Sequence, residues 1–322
     1  MLKRFSQEKI VFTLSFVMFC AFSLFLPKFL TSENVVALLR GVSVLAILGA
    51  AMVIVIIGRG IDLSLVANMA ISVAWAFTLA RNGVALPLAI AIGFCFAIGV
   101  GLLVGVFIAY AEIPPLFATL AIGTFIYGFG RFELVPVDVV PLPDDIGWLR
   151  ALGLGNILGI PMSIIVSAAV AGLMFLLLRY TKSGQFIYAL GDNPKAARIA
   201  GLPVRPILML QYVIAAGIAF VAGLTTATAV SSMSTRVINS TLVYDVILVV
   251  VLGGVGLSGG KGNMGNVLVG TLFIGILQNG MTILDFQYTT QNVLKSALLL
   301  VAIIADSLIN PRDEQTDQQG DI

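Results

Sequence analysis

Long apolar stretches, punctuated by short polar ones, set the pattern of this chain. Charged side chains are absent from residues 10–27, 41–58, 63–80, 82–111, 113–130, 151–178, 206–235 and 262–284, and each of these runs is at least 18 residues long. A helix rising about 1.5 Å per residue crosses about 30 Å of hydrocarbon in roughly 20 residues. With two weaker stretches added, the pattern predicts about ten helices, near 10–26, 42–57, 62–80, 85–109, 115–131, 161–179, 207–230, 242–257, 264–284 and 289–305. The expected fold class is an all-α polytopic membrane protein with glycine-interrupted segments.

Composition agrees with the pattern. The chain is 59% hydrophobic and 11% charged, against roughly 25% charged residues in soluble domains. A net charge of +2 does not describe a nucleic-acid surface. Histidine is absent, which removes imidazole acid–base chemistry, histidine metal ligation and any Ser-His-Asp triad. Cys20 and Cys95 both fall inside apolar runs and read as small hydrophobes, with no metal ligand or disulfide expected. Lys3 and Arg4 ahead of an apolar run resemble a secretory leader. No small-x-small cleavage site follows, so the run reads as a retained first span.

The basic residues are unevenly distributed. Segment 179–206 holds Arg179, Lys182, Lys195, Arg198 and Arg205, whereas 131–160 holds Arg131 and Arg150 beside Glu133, Asp138, Asp144 and Asp145. Cytoplasmic loops carry the excess of Lys and Arg. With ten spans and Lys3, Arg4 and Lys9 inside, 179–206 is expected inside, 131–160 outside and both termini cytoplasmic. Residues 311–322 are polar and read as a disordered cytoplasmic tail.

Two glycine-rich breaks need explanation. Gly254-Val-Gly256-Leu-Ser-Gly259 fits the dinucleotide pattern G-x-G-x-x-G, and Gly260-Lys261 hints at a phosphate loop. The next acidic residue is Asp285, charge-poor spans flank the glycines, Val255 stands five places before Gly260, and Gly262 follows Lys261. Both nucleotide readings fail on these residues. Glycines that end a span and permit close helix approach fit better. Such breaks are tolerated in a bilayer where protein or a water-filled cavity covers the freed backbone. Val55-Ile-Ile-Gly58-Arg-Gly60-Ile-Asp62-Leu63-Ser64 resembles Val250-Val-Leu-Gly253-Gly-Val-Gly-Leu257-Ser258, as paired breaks in the two halves of a transporter do. One short match of this kind also arises by chance.

Four blocks carry a family resemblance. They are Gly58-Arg59-Gly60-Ile61-Asp62-Leu63-Ser64, Ile113-Pro114-Pro115-Leu-Phe-Ala-Thr119-Leu120, the run from Gly184 through Gly191-Asp192-Asn193-Pro194-Lys195-Ala196-Ala197-Arg198 to Gly201, and Val251-Leu-Gly253-Gly254 through Leu257-Ser258-Gly259-Gly260-Lys261-Gly262. In these blocks, over roughly residues 40–305, the chain resembles the ribose-type permease subunits of bacterial ABC importers. The resemblance implies a single permease domain over 1–310, with a coupling loop at about 180–206. It implies a non-catalytic subunit with no cofactor of its own, since ATP and magnesium would belong to a separate ATPase subunit. The implied partners are a second identical or related permease, cytoplasmic ATPase subunits, an extracytoplasmic solute-binding protein and the lipid of the cytoplasmic membrane. The cargo would be a monosaccharide or polyol. Arg59 stands where the family has glycine, Leu65-Val66 replaces Val-Gly, and Pro115 stands where Ser is common; these departures bear on substrate identity.

Within the coupling loop, Gly191, Asp192, Asn193, Pro194, Lys195, Ala196, Arg198 and Gly201 are the expected ATPase-contacting set. Asn193-Pro194 can open a short helix and Gly201-Leu-Pro203 can end it. A solvated basic loop is the plainer alternative. Charged groups within spans are costly and functional by default, which marks Asp62, Asp245 and Lys295. Asp62 suits a helix cap or a gate; Asp245 and Lys295 suit snorkelling or mutual pairing. Small hydrogen-bonding groups that bind weakly suit a pathway, and Asp62, Ser64, Asn68, Thr119, Ser258, Gln278 and Asn279 form that expected set, although bonding between helices would use the same residue types. An ion-coupled secondary transporter and an integral-membrane enzyme are the rivals from other classes. Branched-chain amino acids or a signalling molecule are alternative cargo.

Overall fold

A computed structural model describes residues 7–143 and 147–309. Lys3, Arg4, Asp144, Asp145 and the tail 311–322 lie outside the described residues. In chain order the helices are α1 (Gln7–Phe25), α2 (Ser32–Ile57), α3 (Leu65–Arg81), α4 (Leu86–Ala109), α5 (Pro115–Phe129), α6 (Gly147–Leu154), α7 (Met162–Tyr180), α8 (Lys182–Asp192), α9 (Pro194–Ile199), α10 (Val204–Val230), α11 (Leu242–Leu252), α12 (Met264–Ile283) and α13 (Tyr288–Ile309). Four short strands, β1 (Val139–Pro141), β2 (Asn156–Ile157), β3 (Ile160–Pro161) and β4 (Ser232–Ser234), a π-helical turn at Gly130–Leu134 and a 3-10 turn at Thr235–Asn239 complete the set among the described residues.

All ten spans expected from the apolar pattern are helical. Seven of them, α1, α2, α4, α7, α10, α12 and α13, are long and apolar enough to cross a membrane. The other three are shorter. α3 begins at Leu65, three residues later than the pattern suggested, and α5 runs into a π-helical turn at Gly130–Leu134. α11 stops at Leu252 after 11 residues, about 16 Å of rise, so it reaches only partway and hands over to the glycine-rich turn. Helices α6, α8 and α9 are additions that the apolar pattern did not show.

α2 and α10 form the middle of the bundle. Every residue of α2 from Leu45 to Ile57 is buried, and α10 buries residues from Ile207 to Thr228 against α2, α3, α4 and α6. α4 packs on α10 and α3 through a stripe spaced by four: Ala89, Gly93, Ala97, Gly101, Gly105 and Ala109, all buried. A side chain at Gly101 would sit 2.6 Å from Ala216 Cβ and 2.7 Å from the Tyr212 carbonyl oxygen. Small residues let helix backbones approach this closely, which is how bilayer helices associate when water supplies no driving force between them. The outer faces are as apolar as the interior: Phe16 is 62% exposed, Phe125 60% and Val301 62%. A hydrocarbon solvent explains that inversion.

The bundle has two distinct ends. At one, Gln7 Nε2 donates to the Val251 carbonyl at 3.0 Å, and Leu257 N donates to Asp306 Oδ2 at 3.1 Å. α8, α9 and the ends of α2 and α11 belong there. At the other, β1 pairs antiparallel with β4, with Val140 opposite Met233. Asp138 ties that end by pairing with Arg131 at 2.7 Å and with Arg236. The 27 residues of α10 separate β4 from α9 by about 40 Å. Connections 131–160 and 179–206 therefore lie at opposite ends, as the span count required.

Candidate functional site

Two helix ends build the core of the site. α2 closes with Gly60 N donating to Val55 O at 2.8 Å and Arg59 N to Ile56 O at 2.9 Å; α11 closes with Val255 N to Val250 O at 3.2 Å and Gly254 N to Val251 O at 3.0 Å. Both are the same 6→1 and 5→2 arrangement that satisfies the last carbonyls of a helix. It needs a left-handed residue, supplied by Arg59 at φ 72° and Gly254 at φ 102°. The two breaks that look alike in sequence thus fold alike, and they touch. Gly260 N donates to Ile57 O at 2.8 Å, and Arg59 Nε donates to Ser258 O at 3.0 Å. Arg59 accepts a strained backbone and ties one break to the other.

α8 lies directly on this joint. Gly191 is buried, and a Cβ there would collide with Ile57 O and Gly260 N. Tyr188 donates to Gly262 O at 2.6 Å; partial burial pushes its phenol pKa up, which keeps that donor protonated. α9 follows as the sequence suggested. Asn193 caps it by accepting from Ala196 N at 2.9 Å, Pro194 takes the first helical position, and Leu202 N closes it on Ala197 O at 3.0 Å. Asp192, Asn193, Lys195, Ala196, Arg198 and Gly201 are exposed, and Ile199 beside them is 88% exposed. The basic segment is thus two capped helices and not an open loop. α8 itself was missed because its apolar positions are few and mixed with glycine.

The seven expected pathway residues divide into two groups. Asp62 Oδ1 accepts from Ser64 N at 2.9 Å and Ser64 Oγ at 2.5 Å, so Asp62 orders the turn that opens α3. Thr119 donates to Ile61 O at 3.2 Å, and Asn68 donates to Ala97 O at 3.1 Å. With Ser258 these residues sit toward the α8–α9 end. Gln278 and Asn279 sit in the other half: Asn279 and Asn34 exchange hydrogen bonds at 2.8 and 2.9 Å, and Gln278 donates to Asp245 at 3.4 Å. Asp245 and Lys295 pair at 2.7 Å, choosing pairing over snorkelling.

Two residues escaped the sequence reading. Gln211 and Tyr212 on α10 are fully buried, and neither the Gln211 amide nor the Tyr212 hydroxyl finds a hydrogen-bond partner among the described residues. Gly58 leaves room for Gln211 and Gly60 for Tyr212, so the α2–α3 break and α10 are fitted to each other. A polar pair in the charge-free run 206–235 was the available signal. Among the described residues no group of three or more His, Cys, Asp or Glu is placed to hold a metal. The arrangement suits mechanical coupling: a rigid helix pair at one end rests on backbone turns whose other side meets the buried polar cluster.

Residues 34–303 match the family described as branched-chain amino acid transport system / permease component. The chain is 31% identical over 315 residues to the ribose import permease of Haemophilus influenzae, covering 96% of each chain. It is 32% identical over 291 residues to the ribose import permease of Bacillus subtilis, covering 90% of each, and 34% identical over 293 residues to the L-arabinose ABC transporter permease of Azospirillum brasilense, covering 90% of this chain and 84% of that one. No solved structure matches. The chain belongs to the family of branched-chain amino acid transport system permease components, and it is a multi-pass, non-catalytic permease subunit of an ABC transporter whose ATP is hydrolysed on a partner subunit.

Proposed function

We propose that this permease imports a monosaccharide or polyol across the cytoplasmic membrane, with α8 and α9 forming its cytoplasmic contact to the ATPase. The seating of buried Gly191 on the Ile57–Gly260 joint carries the reading. A push on exposed α9 reaches α8, then the ends of α2 and α11 together, then the turn containing Asp62. Basic residues in 179–206 support placing that end inside, with both termini inside and β1, β4 and α6 facing the solute-binding protein. A second identical or related permease encloses the route, and alternating access follows from rocking of the helices against one another. Names of relatives that carry ribose, L-arabinose and galactofuranose support the sugar class. The pathway assignment for Asp62, Ser64, Asn68, Thr119, Ser258, Gln278 and Asn279 belongs to the same proposal.

The test is assembly. Gly191→Trp and Arg198→Glu variants insert into the membrane normally but lose co-purification of the ATPase subunit and lose uptake. Wild-type complex yield and transport from both variants would remove the docking assignment. Mass spectrometry of the solute held by the cognate binding protein names the cargo. Because the family description names branched-chain amino acids, a bound leucine, isoleucine or valine would move the cargo to that class. Uptake insensitive to vanadate yet abolished by proton or sodium uncouplers would favour the ion-coupled rival.

A further inference from the structure

At the β1–β4 end a small cleft opens on the bundle surface between α11 and α13, with Thr241, Tyr244, Asp245, Asn292, Lys295 and Ser296 as its polar lining beside two leucines. Lys295 Nζ meets Asp245 Oδ2 at 2.7 Å with side chains 7% and 9% exposed. Lys295 Nζ also approaches Thr241 Oγ1 at 3.4 Å, which in turn donates to Asn292 Oδ1 at 3.2 Å. Gln278 and Lys295 both bond Oδ2, and no hydrogen bond within the described chain reaches Asp245 Oδ1. Lys295 stands seven residues into α13, about 10 Å below its start, deeper than a snorkelling end.

A buried ion pair recovers its desolvation only when the remaining donors and acceptors are satisfied. Here a carboxylate oxygen and a third ammonium donor remain unspent. The free volume of about 10 Å³ admits one water or one hydroxyl group. The paired charges sum to zero, so the cleft offers strong donors and acceptors with no preference for an ion of either sign.

We propose that this cleft is a station on the translocation route, accepting a hydroxyl of a neutral polar solute between Asp245 Oδ1 and Lys295 Nζ. Its face on α11 and α13 is thereby turned to water, not to lipid. The inference rests on the importer reading above and adds a site to it.

The experiment uses the assembled importer, with ATPase and binding protein, in proteoliposomes. In a Cys20→Ser, Cys95→Ser background, Ser296→Cys is treated from the binding-protein side with a membrane-impermeant methanethiosulfonate. Labelling should be several-fold faster in one of the nucleotide-free and vanadate-trapped states than in the other. Asn292→Ala should raise the KM for D-ribose or L-arabinose several-fold at unchanged kcat, the mark of lost uniform binding. A cysteine that never reacts, or reacts equally in both states, overturns the station. State-dependent labelling without transport of either pentose keeps the station for another neutral solute and removes the sugar reading instead.

Discussion

At the scale of single residues, the left-handed helix ends separate Arg59 from Gly254. A non-glycine residue in that conformation costs roughly 1–2 kcal/mol. Gly254→Ala should lower the melting point of the purified permease by an amount corresponding to about 1–2 kcal/mol. Arg59→Gly relieves that strain at the expense of the side chain's bonds, among them the one to Ser258 O, and should be the milder change. A large loss for Arg59→Gly and none for Gly254→Ala in detergent melts would reverse the argument. Lys295→Met removes one partner of a buried pair and leaves Asp245 charged and uncompensated, a change worth about 3–5 kcal/mol. Adding Asp245→Asn to it should restore most of the lost stability. Both positions stand out in sequence as charges inside spans, yet their mutual distance was invisible there, since 50 residues separate them.

At the scale of elements, helix existence followed from the apolar runs, whereas helix partners did not. The four-residue spacing of small residues on α4 is present in sequence, but only the fold shows that α10 and α3 fill it. Gly101→Val should therefore destabilise the bundle by about 1–3 kcal/mol through overpacking. Gly99→Val on the open side of the same helix, where a Cβ meets nothing within 4 Å, should leave it near wild type. Comparable melts of the two variants would refute the stripe. On α9, Asn193→Ala removes a cap worth about 1 kcal/mol. It should weaken ATPase stimulation by solute-loaded binding protein, and Asn193→Asp, which keeps the capping oxygen, should preserve it.

For the whole molecule, the separation of connections 131–160 and 179–206 by the length of α10 fixes their relative sides and leaves absolute sidedness to the charge rule. Cysteines introduced singly at Lys195 and Trp148, both exposed, should be labelled by an impermeant reagent in inverted vesicles and in intact spheroplasts respectively. The opposite pattern would invert the proposed orientation and with it the direction in which α9 can meet an ATPase.

Sequence alone determined what depends on local composition. The placement of the apolar helices, the exclusion of a nucleotide loop at 254–262, and the capped short helix at 194–199 each rest on a few neighbouring residues and a bilayer's demand for satisfied backbone. Tertiary structure decided what depends on distant residues meeting. It brought the two breaks together at Ile57 and Gly260, set Gly191 upon them, paired Asp245 with Lys295, and buried Gln211 and Tyr212 against Gly58 and Gly60. Side-chain spacing reveals a face, but which face meets which is settled by packing across the whole bundle.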